Sequence, residues 1–332
     1  MTNARADASV VVAIVGLLAA CAPRESVPSS QPTVTAPAHT TPSPVEVSTS
    51  TPIPERPTGT YEGWIALVAD LGSGHDLYVV NPTTLDMRAF GIAGLPPGFP
   101  AWSPDWTRIG FIGANDDVYV LEVACLDRGD CQESLTRFDQ ASRVYSTLSW
   151  LPDGEAVVFA DIPDIDGRPS RLITLSLSGE TTSVVLAEGV GSNPDVAPNG
   201  ASVLFDSYLG LDQLVLFDIS TRSIRPFMGE TMELPNSSDG DWSPDARRVA
   251  FETTFGAGFG WGRFDVMVAQ ADGSSPRVVA EDGMHPDWSP DGGTIVFERE
   301  DGLYVVNVAT GVERKILDLP LIHSAPMPAW SP

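Results

Sequence analysis

The chain has 332 residues, with 19 Lys and Arg against 44 Asp and Glu, a formal net charge of -25. Phosphate backbones are held by clustered Lys and Arg, so nucleic acid is excluded as a partner, as is attraction of a folded domain to an anionic membrane surface. An apolar content of 42% supports a real core, while 30 Gly and 29 Pro punctuate the chain too often for long helices and favour many short strands joined by turns.

The first element is a targeting segment. Arg5 supplies a weak positive start, partly offset by Asp7, and Val10 to Ala20 is an unbroken apolar and small-residue run. It is too short for a bilayer, which takes about 20 residues, but suits a signal-peptide core. The run ends Leu18-Ala19-Ala20-Cys21, which resembles the bacterial lipobox. That resemblance implies cleavage before Cys21 and alkylation of its thiol by diacylglycerol. Residues 1–20 are therefore read as a lipoprotein signal and Cys21 as the lipidation site; an ordinary secretory signal with a chance Cys is the alternative. Residues 22–60 hold nine Pro, six Ser and eight Thr, too little apolar surface to offset chain entropy. Residues 21–60 are thus expected to be an extended tether reaching on the order of 100 Å at ~3.1 Å per residue.

From Tyr61 onward the chain repeats itself. The motif reads Trp102-Ser103-Pro104-Asp105, Trp150-Leu151-Pro152-Asp153-Gly154, Val196-Ala197-Pro198-Asn199-Gly200, Trp242-Ser243-Pro244-Asp245, Trp288-Ser289-Pro290-Asp291-Gly292 and Trp330-Ser331-Pro332, at spacings of 48, 46, 46, 46 and 42 residues. Each internal copy is followed by a β-branched residue and then Phe, at Ile109/Phe111, Val157/Phe159, Val203/Phe205, Val249/Phe251 and Ile295/Phe297. That alternation predicts a strand. A second strand follows in each repeat (Val118–Leu121 and Leu214–Phe217, for example) and then a shorter third, such as Ser183–Leu186. With the segment leading into the Trp, four strands form a unit, as in a propeller blade. Pro presets φ in the turn, and Asp and Gly tolerate the next positions, so the motif's Asp residues are read as turn formers.

These repeats resemble those of the TolB-type β-propeller, also seen in dipeptidyl-peptidase IV-like propellers, over Tyr61 to Pro332. The fold expected is all-β, a six-bladed propeller over 61–332. Tyr61–Leu67 matches the second strand of a repeat with no motif before it, and Trp330-Ser331-Pro332 is a first strand with nothing after it. The C-terminal strand is therefore expected to complete the first blade and close the ring, as a monomer with no separate C-terminal domain. Cys125 and Cys131, six residues apart, are expected to pair in an oxidising compartment.

Catalytic chemistry is sparse. Beyond His39 in the tether there are only His75, His285 and His323, and neither a Gly-x-Ser-x-Gly elbow nor a phosphate-cradling loop is present. No catalytic residue is assigned. One constellation stands out. The residues one and three before each motif Trp are polar in three consecutive repeats: Asn193/Asp195, Asp239/Asp241 and His285/Asp287. On a ring they become neighbours near the channel mouth, where an oxygen-rich cluster suits Ca²⁺ or a basic peptide. The opposing reading is that each Asp caps a turn in its own blade. Phe255–Phe264, rich in Gly and aromatics, is a second possible contact surface; Asp161–Gly167 has the acid spacing of a Ca²⁺ loop without its Glu.

The reading is a lipid-anchored, extracytoplasmic binding module or scaffold, at the cell surface or in the periplasm, for an envelope or secreted protein. It meets the membrane through its lipid alone. A metal-dependent enzyme of lactonase or lyase type at the acidic mouth, and a carbohydrate-binding propeller, stay open.

Overall fold

The computed structural model describes residues 61–331 other than 73, 93–97, 114, 139–143, 163–169, 179–182, 189–190, 208–212, 230–236, 256–262 and 320–326. Residues 1–20, Cys21, the tether, the aromatic segment at 256–262 and the acidic turn at 163–167 lie outside the described residues.

Strands β1 (Ile65–Asp70), β2 (His75–Val80) and β3 (Met87–Ala89) open the fold. Next come β4 (Ala101–Trp102), β5 (Arg108–Ile112), β6 (Val118–Glu122), a short helix α1 (Cys125–Arg128) and β7 (Leu135–Phe138). Four full quartets follow: β8 (Val144–Trp150), β9 (Ala156–Asp161), β10 (Arg171–Ser176), β11 (Ser183–Glu188); β12 (Ser192–Val196), β13 (Ser202–Ser207), β14 (Gln213–Asp218), β15 (Ser223–Pro226); β16 (Ser237–Trp242), β17 (Arg248–Phe255), β18 (Arg263–Gln270), β19 (Arg277–Glu281); and β20 (Met284–Trp288), β21 (Thr294–Arg299), β22 (Gly302–Asn307), β23 (Glu313–Asp318). The last strand is β24 (Ala329–Trp330).

They form six four-stranded antiparallel sheets, five of consecutive strands and one ordered β24-β1-β2-β3. The inner strands β4, β8, β12, β16, β20 and β24 touch in that cyclic order, β24 meeting β4. This is a closed six-bladed propeller. Counted from β24-β1-β2-β3 as blade 1, the quartets of β8, β12, β16 and β20 are blades 3 to 6.

The repeat explains the register. Each motif residue pairs with the β-branched residue seven positions on: Trp102 with Ile109, Trp150 with Val157, Val196 with Val203, Trp242 with Val249 and Trp288 with Ile295. In blade 1, Trp330 pairs with Ile65. Phe111, Phe159, Phe205, Phe251 and Phe297 are almost wholly buried, each worth ~1.5–3 kcal/mol over exposure. They pack between sheets. Apolar cores lie at all six blade junctions, including that of blades 6 and 1, where Ile65 and Leu67 meet Val296, Leu303 and Val305. No blade covers its apolar face alone, so stability depends on completing the circle.

The Ser-Pro-Asp segments are turns. The carbonyl of Ser103 accepts from Trp106 N–H, that of Ser243 from Ala246 and that of Ser289 from Gly292. Asp105, Asp245 and Asp291 accept from the Ser hydroxyl of their own motif at 2.6–2.7 Å. Two arginines then bolt blades together. Arg108 donates to Gly154 O and lies over Trp150, while Arg248 donates to Gly292 O and lies over Trp288. Cys125 and Cys131 are joined by a disulfide across α1.

Candidate functional site

Residues one and three before the motif Trp sit on the inner strands, and a bulge decides how they are presented. The register slips between Ser192 and Asp195, between Ser238 and Asp241 and between Met284 and Asp287. In each bulge the residue three before the Trp is left-handed: Asn193 has φ 49°, Asp239 φ 47° and His285 φ 50°. Non-glycine residues adopt this region at a cost, and Asn and Asp tolerate it best. Pro194 and Pro286 come directly after two of them, where the bulge spares a ladder donor.

The residues one before the Trp form an inner tier. Asp195 accepts from Trp242 N–H at 2.8 Å, Asp241 from Trp288 N–H at 2.9 Å and Asp287 from Trp330 N–H at 3.1 Å. Each carboxylate thus caps the inner strand of the next blade rather than a turn of its own. Asp195 also accepts from Ser149 Oγ at 3.0 Å. Asp241 lies between Asp195 and Asp287, near enough for the charge of each to act on it. Burial pushes Asp195 up to about 6 and Asp287 up to about 8. Asp241 is held well above the carboxylate range by burial and then by the charges of Asp287 and Asp195.

The residues three before the Trp form an outer tier with partners from the second strands. Asn193 Nδ2 donates to Asp239 Oδ1 at 2.6 Å and to Asp206 Oδ2 at 2.9 Å. Asp206 accepts from Asp239 N–H at 3.0 Å, and Glu252 accepts from His285 N–H at 3.1 Å and from Ser238 Oγ at 2.9 Å. His285 presents Nδ1 to Glu298 Oε1, with Nε2 3.5 Å from Asp239 Oδ2. Burial, then the charge of Asp239, raises Asp206 well above its ordinary value and Glu252 to about 7. For His285, burial opposes the charged form, but the Glu298 hydrogen bond and the charges of Asp239, Glu298 and Glu252 outweigh it and lift the imidazole to about 9.

Carboxylates crowded out of water with His285 as the one basic side chain among them form a site deficient in positive charge. It suits a cation or a cationic group.

TolB from Acinetobacter baumannii superposes on the chain with a TM-score of 0.67 at 17% identity, covering 82% of this chain and 68% of that one. A protein from Agrobacterium tumefaciens assigned as TolB gives 0.60 at 18% identity, covering 79% and 90%. The fold is that of the TolB-type propellers. An oligogalacturonate lyase from Vibrio parahaemolyticus shares it more distantly, with a TM-score of 0.55, 15% identity and coverage of 78% and 77%. In sequence, the Tol-Pal system protein TolB of Methylococcus capsulatus is 39% identical over 87 residues, spanning 24% of this chain and only 20% of that relative. No family model matches.

On this TolB-type ring, Asn193, Asp195, Asp239, Asp241, His285 and Asp287 all come together across blades 4, 5 and 6. Sequence reasoning missed Asp206, Glu252 and Glu298. Their signal was present: in those same three repeats the core Phe is followed directly by an acid, Phe205-Asp206, Phe251-Glu252 and Phe297-Glu298. Blades 2 and 3 have Ile112 and Ala160 there. All three acids are buried, which singles them out more sharply than their alternation in the strand.

Proposed function

We propose that this chain is an extracytoplasmic binding module, held to a membrane by a lipid on Cys21 and a Pro/Ser/Thr-rich tether, that receives a cationic segment of an envelope or secreted protein at the inner-strand acids of blades 4 to 6. One observation carries the reading: the two tiers of carboxylates on three adjacent blades, with His285 as their sole basic neighbour among the described residues. A Lys or Arg side chain entering there supplies positive charge to compensate the crowded carboxylates. The TolB-type fold supports the class of role, since the curated relative is named for a Tol-Pal system; the partner is left to experiment.

The test is in-cell cross-linking of the anchored protein followed by capture, with a Lys/Arg-rich and a Glu-rich peptide of equal length as competitors. The cationic peptide should displace the captured partner, and Asp195→Asn with Asp241→Asn should weaken capture at least tenfold. Equal displacement by both peptides, or capture unchanged in the double variant, would overturn the reading.

A further inference from the structure

We infer that Asp239, Glu252 and His285 form a binding site for a divalent transition-metal ion of the Mn²⁺ or Zn²⁺ class. One carboxylate oxygen from each acid and one imidazole nitrogen lie within 4.8 Å of one another. Ligands bonded to one ion at ~2.0–2.2 Å stand at most ~4.4 Å apart, so a small side-chain adjustment brings all three into bonding range. Asp239 and His285 come from the inner strands of adjacent blades and Glu252 from the second strand of blade 5. The inner-strand pair is tied down through the backbone. Asp239 N–H is held by Asp206, and His285 N–H is held by Glu252 itself.

A separate observation is an acid oxygen left without a donor beside the same imidazole. Glu298 is 1% exposed, and its Oε2 is buried with no hydrogen-bond donor. Its other oxygen meets His285 Nδ1. An unpaired carboxylate oxygen at that depth is expensive unless a charge nearby compensates it. The same contact fixes the imidazole with Nε2 turned toward Asp239, the carboxylate–histidine arrangement that orients and strengthens a metal-binding imidazole. Glu298 is thus a positioning residue, acting on the ion through His285.

The donor set selects the metal. Ca²⁺ and Mg²⁺ prefer oxygen throughout, so an imidazole ligand counts against the Ca²⁺ that the acid pattern alone suggested. Two carboxylates count against soft ions such as Cu(I). One nitrogen and two oxygens suit Mn²⁺ or Zn²⁺. The side chains of His285 and Asp239 keep 15% and 16% of their exposure, enough for an ion to enter and for water or a ligand to complete its coordination. The metal site shares the outer-tier acids with the cationic partner proposed above, but its argument rests on the Asp239, Glu252 and His285 geometry and not on that partner.

The test uses the whole secreted chain, stripped with chelator and dialysed separately against micromolar Mn²⁺, Zn²⁺, Ca²⁺ and Mg²⁺. Elemental analysis should return one Mn²⁺ or Zn²⁺ per chain and no retained Ca²⁺ or Mg²⁺, with a melting temperature that climbs with metal concentration. Asp239→Asn and His285→Gln should each weaken binding at least 100-fold, and Glu298→Gln about 10–100-fold. Should a variant misfold, Co²⁺ loaded into the parent protein provides a second readout, because nitrogen and oxygen ligation produces visible ligand-field bands. No bound Mn²⁺ or Zn²⁺, no Co²⁺ bands, or unchanged affinity in a folded Asp239→Asn/His285→Gln protein would overturn the inference and leave an imidazolium–carboxylate pair in the metal's place.

Discussion

The backbone N–H of Ser331 donates to the carbonyl of Trp64 at 2.9 Å, across 267 positions of sequence. Inside the other blades the same bond joins residues five apart, Ser103 to Arg108, Ser243 to Arg248 and Ser289 to Thr294. Ser331 Oγ completes the likeness by accepting from Gly63 N–H at 2.6 Å, much as Ser103 Oγ accepts from Arg108 N–H. The first blade is therefore a repeat whose turn has been cut, with the two sides held by the bonds that the turn would have made.

Deleting residues 328–332 should accordingly damage the fold. It removes the Trp330–Ile65 pairing, the Trp330 Nε1 bond to Gly63 O at 2.9 Å and the Ser331 bonds, and it exposes a sheet edge. Loss of a packed Trp alone costs ~3–5 kcal/mol, and a domain this size loses ~2–4 °C per kcal/mol. Thermal unfolding should shift down by about 10 °C or more, with aggregates on gel filtration. Deleting residues 22–54 should change neither readout. A tail deletion as stable and monomeric as the parent would show that β24 does not close the ring.

Ala246→Gly should stabilise the protein, against the usual direction. Ala246 has φ 54°, in the turn position where Gly154, Gly200 and Gly292 have φ 70°, 68° and 64°. A left-handed Ala costs ~1–2 kcal/mol, partly returned by the greater freedom of Gly when unfolded. The net gain expected is about 0.5–1 kcal/mol, read as a higher denaturation midpoint. A lower midpoint would mean that the strain is relieved by contacts the Ala methyl makes.

Stability should fall as pH rises from 4 to 6. Burial lifts the Asp195 carboxyl to about 6 in the folded state, so the folded chain holds its proton more tightly than the unfolded one. That contribution is full below the unfolded value near 4 and is lost as pH rises through about 6. Each proton involved contributes a slope of up to about 1.4 kcal/mol per pH unit. Urea unfolding in chelator across that window should show the decline. Asp195→Asn should reduce its slope by up to one proton's share while keeping an acceptor for Trp242 N–H. Glu252 and Asp287, lifted to about 7 and about 8, carry part of the remainder. A slope that Asp195→Asn leaves intact would assign the effect to other acids.

If the proposed lipid anchor holds, Cys21→Ser should release the protein from membranes, because it removes the thiol that diacylglycerol would alkylate. Fractionation after a high-salt wash is the measurement. A mutant that stays with the membrane would remove the lipobox reading.

Blade number, strand order and core positions were legible in the sequence because each depends on contacts between residues near one another along the chain. A Trp and a β-branched residue seven positions on pair through a single turn, and Phe two further lands on the same face of the same strand. Six copies of one local pattern can bury their faces only against each other, so the ring was implied as well. What the acids do was decided by tertiary structure. The bulges that turn Asn193, Asp239 and His285 into left-handed backbone leave no periodic mark in the chain. The reach of Asp195, Asp241 and Asp287 to the next blade's backbone spans 43 to 47 positions and depends on the rotation between sheets. Glu298 read as one more polar residue in a strand. Only the packing around it shows a buried oxygen without a donor, and desolvation, which sets the energy of that oxygen, is a property of three-dimensional surroundings.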